Sequence, residues 1–292
     1  MAMQLVDSHC HLDSPRISDP ERLRMMHHAA AAGVHCIVIP GVTPATWSRL
    51  LELVRAPAAG LELHACAGIH PQALPDLDDS SVAHALDRLE RFQGQGLVAI
   101  GETGLDRPTS RVPGGELERQ VEVLEAHLDI AARQGLPVVL HCLRCHDTLR
   151  KVLERRGGHP PGIVLHSFSG SPDMVRPYLE FGAWFSIAGP ITYPNARRPL
   201  ATARAIPLER MLLETDAPDQ TPAPHRGRLN EPAFLPAIAA RVAEVLEIPL
   251  EVVAARTSRN ARTCFGLDTG RPGTPADGKP TSRETTPGEV GS

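Results

Sequence analysis

Eight short runs rich in Val, Ile, Leu and Ala recur along the chain: Gln4 to His9, Cys36 to Pro40, Leu63 to Ile69, Leu97 to Glu102, Pro137 to Cys142, Gly162 to Phe168, Trp184 to Gly189 and Met211 to Thr215. Successive runs begin about 20 to 40 residues apart, which is room for one strand and one returning helix. The intervening segments carry apolar residues at helical spacing, as in Pro20 to Ala32, Ser80 to Phe92, Glu116 to Gln134 and Cys145 to Arg156. Gly33, Gly135 and Gly157 close three of them, where a left-handed residue commonly ends a helix. A helix between every pair of strands returns the chain to the same end each time, so the strands are expected to be parallel, with helices outside. Eight such units close into a (β/α)8 TIM barrel; an open doubly wound sheet is the competing arrangement. Two further helices are expected over Glu231 to Leu246 and Leu250 to Phe265.

A barrel of this kind runs to about 250 residues as one unit, so the 292 residues divide into a barrel domain over 1–267 and a tail over 268–292. The tail reads DTGRPGTPADGKPTSRETTPGEVGS, too poor in large apolar groups to order itself, and is expected to be disordered. The net charge of −4 gives no basic surplus for sequence-blind attraction to duplex nucleic acid, though a few local cations can still hold a short or single-stranded anion. Aromatic residues make up 3% of the chain, too few for an extended base-stacking platform. The first residues lack a signal-peptide pattern, and no run approaches the length of a membrane span. Six cysteines scattered through apolar segments suit buried, reduced thiols. These features predict a cytoplasmic protein with no membrane partner.

Ionisable side chains stand where the runs end. His9 and His11 lie in "VDSHCHLD", His70 in "GIHP", Glu102 in "IGETGLDR", His141 in "VVLHC", His166 in "IVLHSFSG" and Asp216 in "LLETDAPD". Residues two apart on an extended strand share a face, so Asp7, His9 and His11 are expected to point inward together, with Asp7 one layer deeper. There it either orients an imidazole or is satisfied by backbone donors. A barrel gathers catalytic groups at the C-terminal ends of its strands, and burying charge there without a partner costs several kcal/mol. Any one of these histidines alone is more often a core or loop residue than a ligand, and the other nine serve as that background. Jointly, four histidines and two carboxylates suffice for two divalent ions bridged by an acid. Imidazole ligands favour zinc or manganese, with magnesium possible.

The motifs "VDSHCHLD", "AGIHPQ", "AIGETGLDR", "LPVVLHC", "VLHSFSGS", "GPITYP" and "LLETDAPD", in this order from about Leu5 to Phe265, resemble the TatD family of metal-dependent hydrolases. The resemblance implies a dinuclear centre in which His9, His11, Glu102 and Asp216 hold one ion and Glu102, His141 and His166 the second. It also implies that His70 lies on the substrate side. Asp216 and Glu102 would then be the catalytic acids, Asp216 exchanging protons with water and the leaving group. The implied substrate is DNA, cleaved as a phosphodiester at single-stranded or 3′ ends by a monomer or weak oligomer. A different ester or amide, such as the ester of D-aminoacyl-tRNA, is the alternative within this chemistry, and an inactive metal-binding barrel acting through partners is one outside it. Arg144 is the expected phosphate contact, although the family more often places an arginine two residues after the strand-five histidine, where this chain has Leu143. Arg107 also replaces a residue that is often aromatic in the family. Asp106 and Asp219 read as loop caps. Cys142 and Cys145 form a CxxC pair with no second half for a zinc site, and read as packing residues.

Overall fold

Eight strands make one parallel sheet in the order of the sequence: β1 (Leu5–Asp7), β2 (Val34–Gly41), β3 (Glu62–Ala67), β4 (Leu97–Asp106), β5 (Val138–Leu143), β6 (Ile163–Leu165), β7 (Ala183–Ile187) and β8 (Met211–Leu213). The computed structural model describes residues 4–55, 59–92, 96–107 and 116–268. The expected tail therefore lies outside the described residues beyond Asp268. Strands β1 and β8 meet through Ser8 N, which donates to Leu213 O at 2.9 Å, so the sheet curls into a (β/α)8 barrel. Helices cover its outside: α1 (Asp19–Ala31), α2 (Trp47–Arg55), α3 (Asp79–Arg91), α4 (Glu116–Gln134), α5 (His146–Arg156), α6 (Pro172–Glu180) and α7 (Arg197–Ala205). After β8 come α8 (Leu235–Leu246) and α9 (Leu250–Phe265). Among the described residues no helix is long and apolar enough to cross a membrane.

The pleat sorts each strand between two cores. One layer inside the barrel takes a residue from every strand: Val6, Val38, Cys66, Ala99, Val139, Val164, Trp184 and Leu212. Ala261, Cys264 and Phe265 of α9 pack beneath it and plug the lower end. The alternate positions, such as Leu5, Ile37, Ala65, Ile100 and Leu140, join a larger core between sheet and helices. With one end plugged and the interior filled among the described residues, the open end of the barrel is the one at the C-terminal ends of the strands.

Strand β6 stops at Leu165, short of the expected Phe168, and two other departures from the expected ranges shape the site. β1 stops at Asp7, so His9 and His11 follow the strand rather than sharing its pleat. Val6 is the inward residue, which puts Asp7 on the opposite face and corrects its expected inward aim. β4 runs on past Glu102 to Asp106, because the backbone shifts register between Ile100 and Thr103 and then pairs Gly104 with His141 and Asp106 with Leu143. Glu102 is thus a mid-strand residue. The helix expected from Glu231 begins at Leu235, after a short 3-10 turn over Pro232–Phe234.

Candidate metal centre

The layer above the inner core is where the strands turn polar. Two residues beyond Val6, Val139, Val164, Trp184 and Leu212 stand Ser8, His141, His166, Ser186 and Glu214. His9 and His11 reach the same rim by a different route, on a segment beyond the strand that is tied down at both sides. Cys10 N donates to Val38 O at 3.1 Å, and His11 N to Ala217 O at 2.8 Å. Asp216 N donates to His9 O at 2.9 Å, so the loops after β1 and β8 are laced together. Asp216 has a φ of 56°, in the left-handed region that aspartate tolerates better than most residues.

Glu102 lies between two groups of ring nitrogens and offers one oxygen to each. Its Oε2 is 3.2 Å from His9 Nε2 and 3.6 Å from His11 Nε2. Asp216 Oδ1 is 3.7 and 3.4 Å from the same two nitrogens, which are 3.2 Å from each other. On the other side Oε1 is 2.9 Å from His166 Nε2 and 3.1 Å from His141 Nδ1, and those nitrogens are 3.1 Å apart. Tetrahedral ligands about 2.0 to 2.1 Å from a zinc-sized ion stand about 3.3 Å from one another, close to these spacings. The six side chains expected to hold metal therefore meet, in two groups that share Glu102.

The electrostatics call for positive charge. Burial alone would raise the Glu102 carboxyl, but the neighbouring imidazoles of His166, His70 and His9 and a hydrogen bond with His141 hold it well below the usual range. Asp216 behaves alike: burial opposes ionisation, yet the His11 hydrogen bond and the His166 and His9 charges bring it down to about 2. Burial disfavours a charged His11, but the Asp216 hydrogen bond and the Glu102 charge outweigh it and raise the imidazole to about 9. Two buried, ionised carboxylates surrounded by ring nitrogens have donors enough for a cation and too few hydrogens to satisfy every close contact. A small divalent cation in each group fits this set.

Acidic groups behind the rings fix their orientation. Glu214, fully buried, accepts from Ser167 N at 2.6 Å and lies 3.4 Å from His166 Nδ1. Asp106 Oδ2 accepts from Gln72 Nε2 at 2.6 Å and lies 3.4 Å from His141 Nε2. Each carboxylate can take the N–H of one ring nitrogen and so turn the other nitrogen's lone pair toward the centre. Asp106 is thus a buried partner of His141 rather than the expected loop cap. Glu214 went unassigned in the sequence, although the pleat that places Leu212 inward also places residue 214 inward. His70 Nδ1 accepts from Gln72 N at 3.1 Å, so its neutral ring carries hydrogen on Nε2, 3.2 Å from Glu102 Oε1. A donor at that point suits contact with Glu102 or a substrate oxygen better than ligation.

Other expected residues fall in different places. Asp7 Oδ1 accepts from Thr215 N at 3.0 Å and His9 N at 3.3 Å, and Oδ2 from Thr215 Oγ1 at 2.5 Å, which makes it the structural acid satisfied by donors. Asp7→Ala leaves two buried amides without acceptors and is expected to cost more than about 2 kcal/mol, read as a shift in the denaturant midpoint with unchanged slope. Asp219 pairs with Arg16 instead of capping a loop. Arg144 is exposed, with a φ of 57°, and is not among the residues lining the cleft above the centre, a space of about 1160 Å³. Cys142 and Cys145 are buried and free, as packing residues. Of the background histidines, His127 is a structural one: its Nε2 accepts from Ile69 N at 3.0 Å and its Nδ1 bonds Val123 O at 2.7 Å. Cys36, Glu62 and His64 also cluster, at the opposite end of the barrel, but there Arg262 already grips both oxygens of Glu62.

Comparison with known proteins points to a family of metal-dependent hydrolases. The profile of the family described as TatD related DNase matches residues 6–266. The chain is 30% identical over 264 residues to the metal-dependent hydrolase YabD of Bacillus subtilis, covering 90% of this chain and all of that one. It is 37% identical over 256 residues to a protein of Klebsiella pneumoniae named 3′-5′ ssDNA/RNA exonuclease TatD, covering 82% of this chain and 90% of that one. The crystal structure of YjjV, a TatD homologue from Escherichia coli, superposes with a TM-score of 0.81 at 34% identity, over 91% of this chain and 99% of that one.

Proposed function

The chain belongs to the TatD family of metal-dependent hydrolases, and on that premise we propose that it is a dinuclear deoxyribonuclease that hydrolyses DNA phosphodiesters from single-stranded 3′ ends. The observation that carries the reading is the Glu102 carboxylate, with one oxygen toward His9 and His11 and the other toward His141 and His166. In this reading His9, His11, Glu102 and Asp216 hold one divalent ion and Glu102, His141 and His166 the other, zinc or manganese being favoured by the nitrogen-rich ligands. When bound, such a pair acidifies water and offsets the charge that grows on a phosphoryl oxygen.

The remaining work falls to the protein. Asp216, ionised at neutral pH, accepts the proton of the attacking water and returns one to the leaving 3′ oxygen. Gln220 Nε2 donates to its Oδ2, leaving Oδ1 turned to His9 and His11. His70 presents its Nε2–H at the cleft beside Glu102, within reach of a substrate oxygen. Support for a nucleic-acid substrate comes from the Klebsiella relative's name. The cleft is open and large enough for a few nucleotides, as an acidic protein that does not wrap duplex requires. A cytoplasmic location is part of the proposal, consistent with six free, buried cysteines.

End-labelled single-stranded DNA, incubated with the purified protein, is expected to shorten stepwise from the 3′ end. Chelation should stop the reaction, and manganese or zinc should restore it. Asp216→Asn keeps the shape and the left-handed backbone but removes the proton acceptor, and is expected to lower kcat about 10²- to 10⁴-fold. Equal rates for both proteins would sink the mechanism; hydrolysis of aminoacyl esters but not of DNA would move the substrate to that class.

A further inference from the structure

The cleft above the metal centre is acidic. Among the described residues lining it are Asp13, Asp76, Glu102, Asp216 and Asp219, whereas Arg16 alone contributes an arginine or lysine side chain. Among the described lining residues, a polyanion entering such a cleft meets positive charge only at that guanidinium and at the metal-loaded centre. Arg16 and its partner Asp219 are placed by the loops that bring His11 and Asp216 to the centre. Ser14 N donates to His11 O at 3.0 Å, and Arg16 N to Ser14 Oγ at 3.3 Å, so a turn fixes Arg16 five residues after His11. Asp219 N donates to Asp216 O at 2.9 Å, and Asn230 Nδ2 grips Asp219 O. The Arg16–Asp219 ion pair thus clasps the loop after β1 to the loop after β8 at the wall of the cleft.

The two arginines near this loop differ in kind. Arg22 is buried and spends its donors on Leu12 O, Ile17 O and Asp19, which pins both ends of the segment carrying Arg16. Arg16 has one carboxylate partner, and the two side chains are 53% and 60% exposed, so the pair is solvated and weakly held. A guanidinium so placed keeps donors free for a planar, bidentate match to phosphate.

We propose that Arg16 anchors a phosphate flanking the scissile bond of an oligonucleotide, and that Asp219 holds it in place until the substrate displaces that carboxylate. The assignment rests on the nuclease reading and adds the residue that makes the acidic cleft selective for a chain of phosphates. Asp219 has a second effect: it screens Arg16 from lone small anions, so exchange favours a substrate also held at the metal centre.

The test compares the metal-loaded protein with Arg16→Gln, Arg16→Lys and Asp219→Asn. The substrates are a single-stranded DNA oligonucleotide and its copy with uncharged methylphosphonates flanking the 3′-terminal linkage. Arg16→Gln is expected to raise KM for the oligonucleotide about tenfold with a smaller change in kcat, and to erase the preference for the charged substrate. It should also flatten the dependence of log KM on log salt by about 0.7, the value of one phosphate contact on a single strand. Arg16→Lys should restore part of the affinity, and Asp219→Asn should lower KM. Wild-type cleavage with KM, salt slope and methylphosphonate preference unmoved by Arg16→Gln overturns the Arg16 assignment alone. A KM raised by Asp219→Asn overturns the exchange. No cleavage of either oligonucleotide by the wild type overturns the nuclease reading, and this assignment with it.

Discussion

Glu102→Gln should reduce hydrolysis by more than about 10³-fold and take most of the bound metal with it. Gln keeps the volume of Glu and fits the same place in β4, so the barrel survives. What changes is charge and hydrogen-bond sense. One of the two oxygens becomes an NH2 group, a donor aimed at ring nitrogens that now face a carboxylate oxygen at 2.9 to 3.6 Å. Whichever way the amide turns, one of the two groups loses residue 102 as a ligand and the other keeps only its neutral oxygen, and the group of His141 and His166, which unlike the other has no Asp216, is left without an anionic ligand. A loss of this size exceeds the 10- to 100-fold expected for an outer partner such as Asp106 or Glu214, and that difference separates the bridging role from an orienting one. Metal analysis of chromatographed protein is the check beside kcat/KM: about two ions per chain for the wild type, fewer than one for the variant. Two retained ions with full activity would remove Glu102 from the centre.

Much of this arrangement is legible from the residues, because the barrel obeys rules that act locally. The alternation of apolar runs with helical segments forces parallel strands, and the pleat then decides which side chains crowd the interior. His141 and His166 follow directly, each two residues beyond an inward valine. Glu214 obeys the same rule, two residues beyond the inward Leu212, yet no motif in the sequence marks it. Other failures have different causes. An extended strand would pair His9 with His11 through its pleat, but β1 is too short; backbone bonds to Val38 and Ala217 bring the rings together instead. Those partners lie far off in sequence and leave no local trace. Asp106 read as a loop residue since nothing before it announces that β4 continues past Glu102. Arg144 and Arg16 show the limit most plainly. Both stand a few residues after a ligand histidine, and only the turn between decides which guanidinium faces the cleft. A positive φ takes Arg144 outside it, whereas the Ser14 turn and the Arg22 anchor set Arg16 at its wall.

The continuation of β4 has a requirement that a single methyl group can test. At Gly104 the backbone has a φ of 142°, a conformation that residues with a Cβ rarely adopt, and an added Cβ would collide with the carbonyl oxygen of His141 on the neighbouring strand. That oxygen belongs to backbone, inside a ladder that pairs Thr103 with Leu140 and Leu105 with Cys142, so it cannot swing aside as a side chain could. Gly104→Ala therefore combines backbone strain with steric overlap and is expected to destabilise the fold by more than about 3 kcal/mol. Gly135 supplies the control: it too has a positive φ, 66°, but a Cβ there meets nothing within 4 Å, so Gly135→Ala should cost about 1 kcal/mol. Denaturant unfolding of the two variants beside the wild type separates strain alone from strain plus collision. The site should feel the first variant even in whatever protein stays folded. Glu102 and His141 face each other across this same pair of strands, and separating β4 from β5 pulls the bridging carboxylate away from the second group of ligands. Metal content in the folded fraction of Gly104→Ala should thus fall while that of Gly135→Ala stays at the wild-type value. Equal stability and metal content for the two variants would mean that β4 and β5 do not approach at Gly104, and that Glu102 reaches the centre by another path.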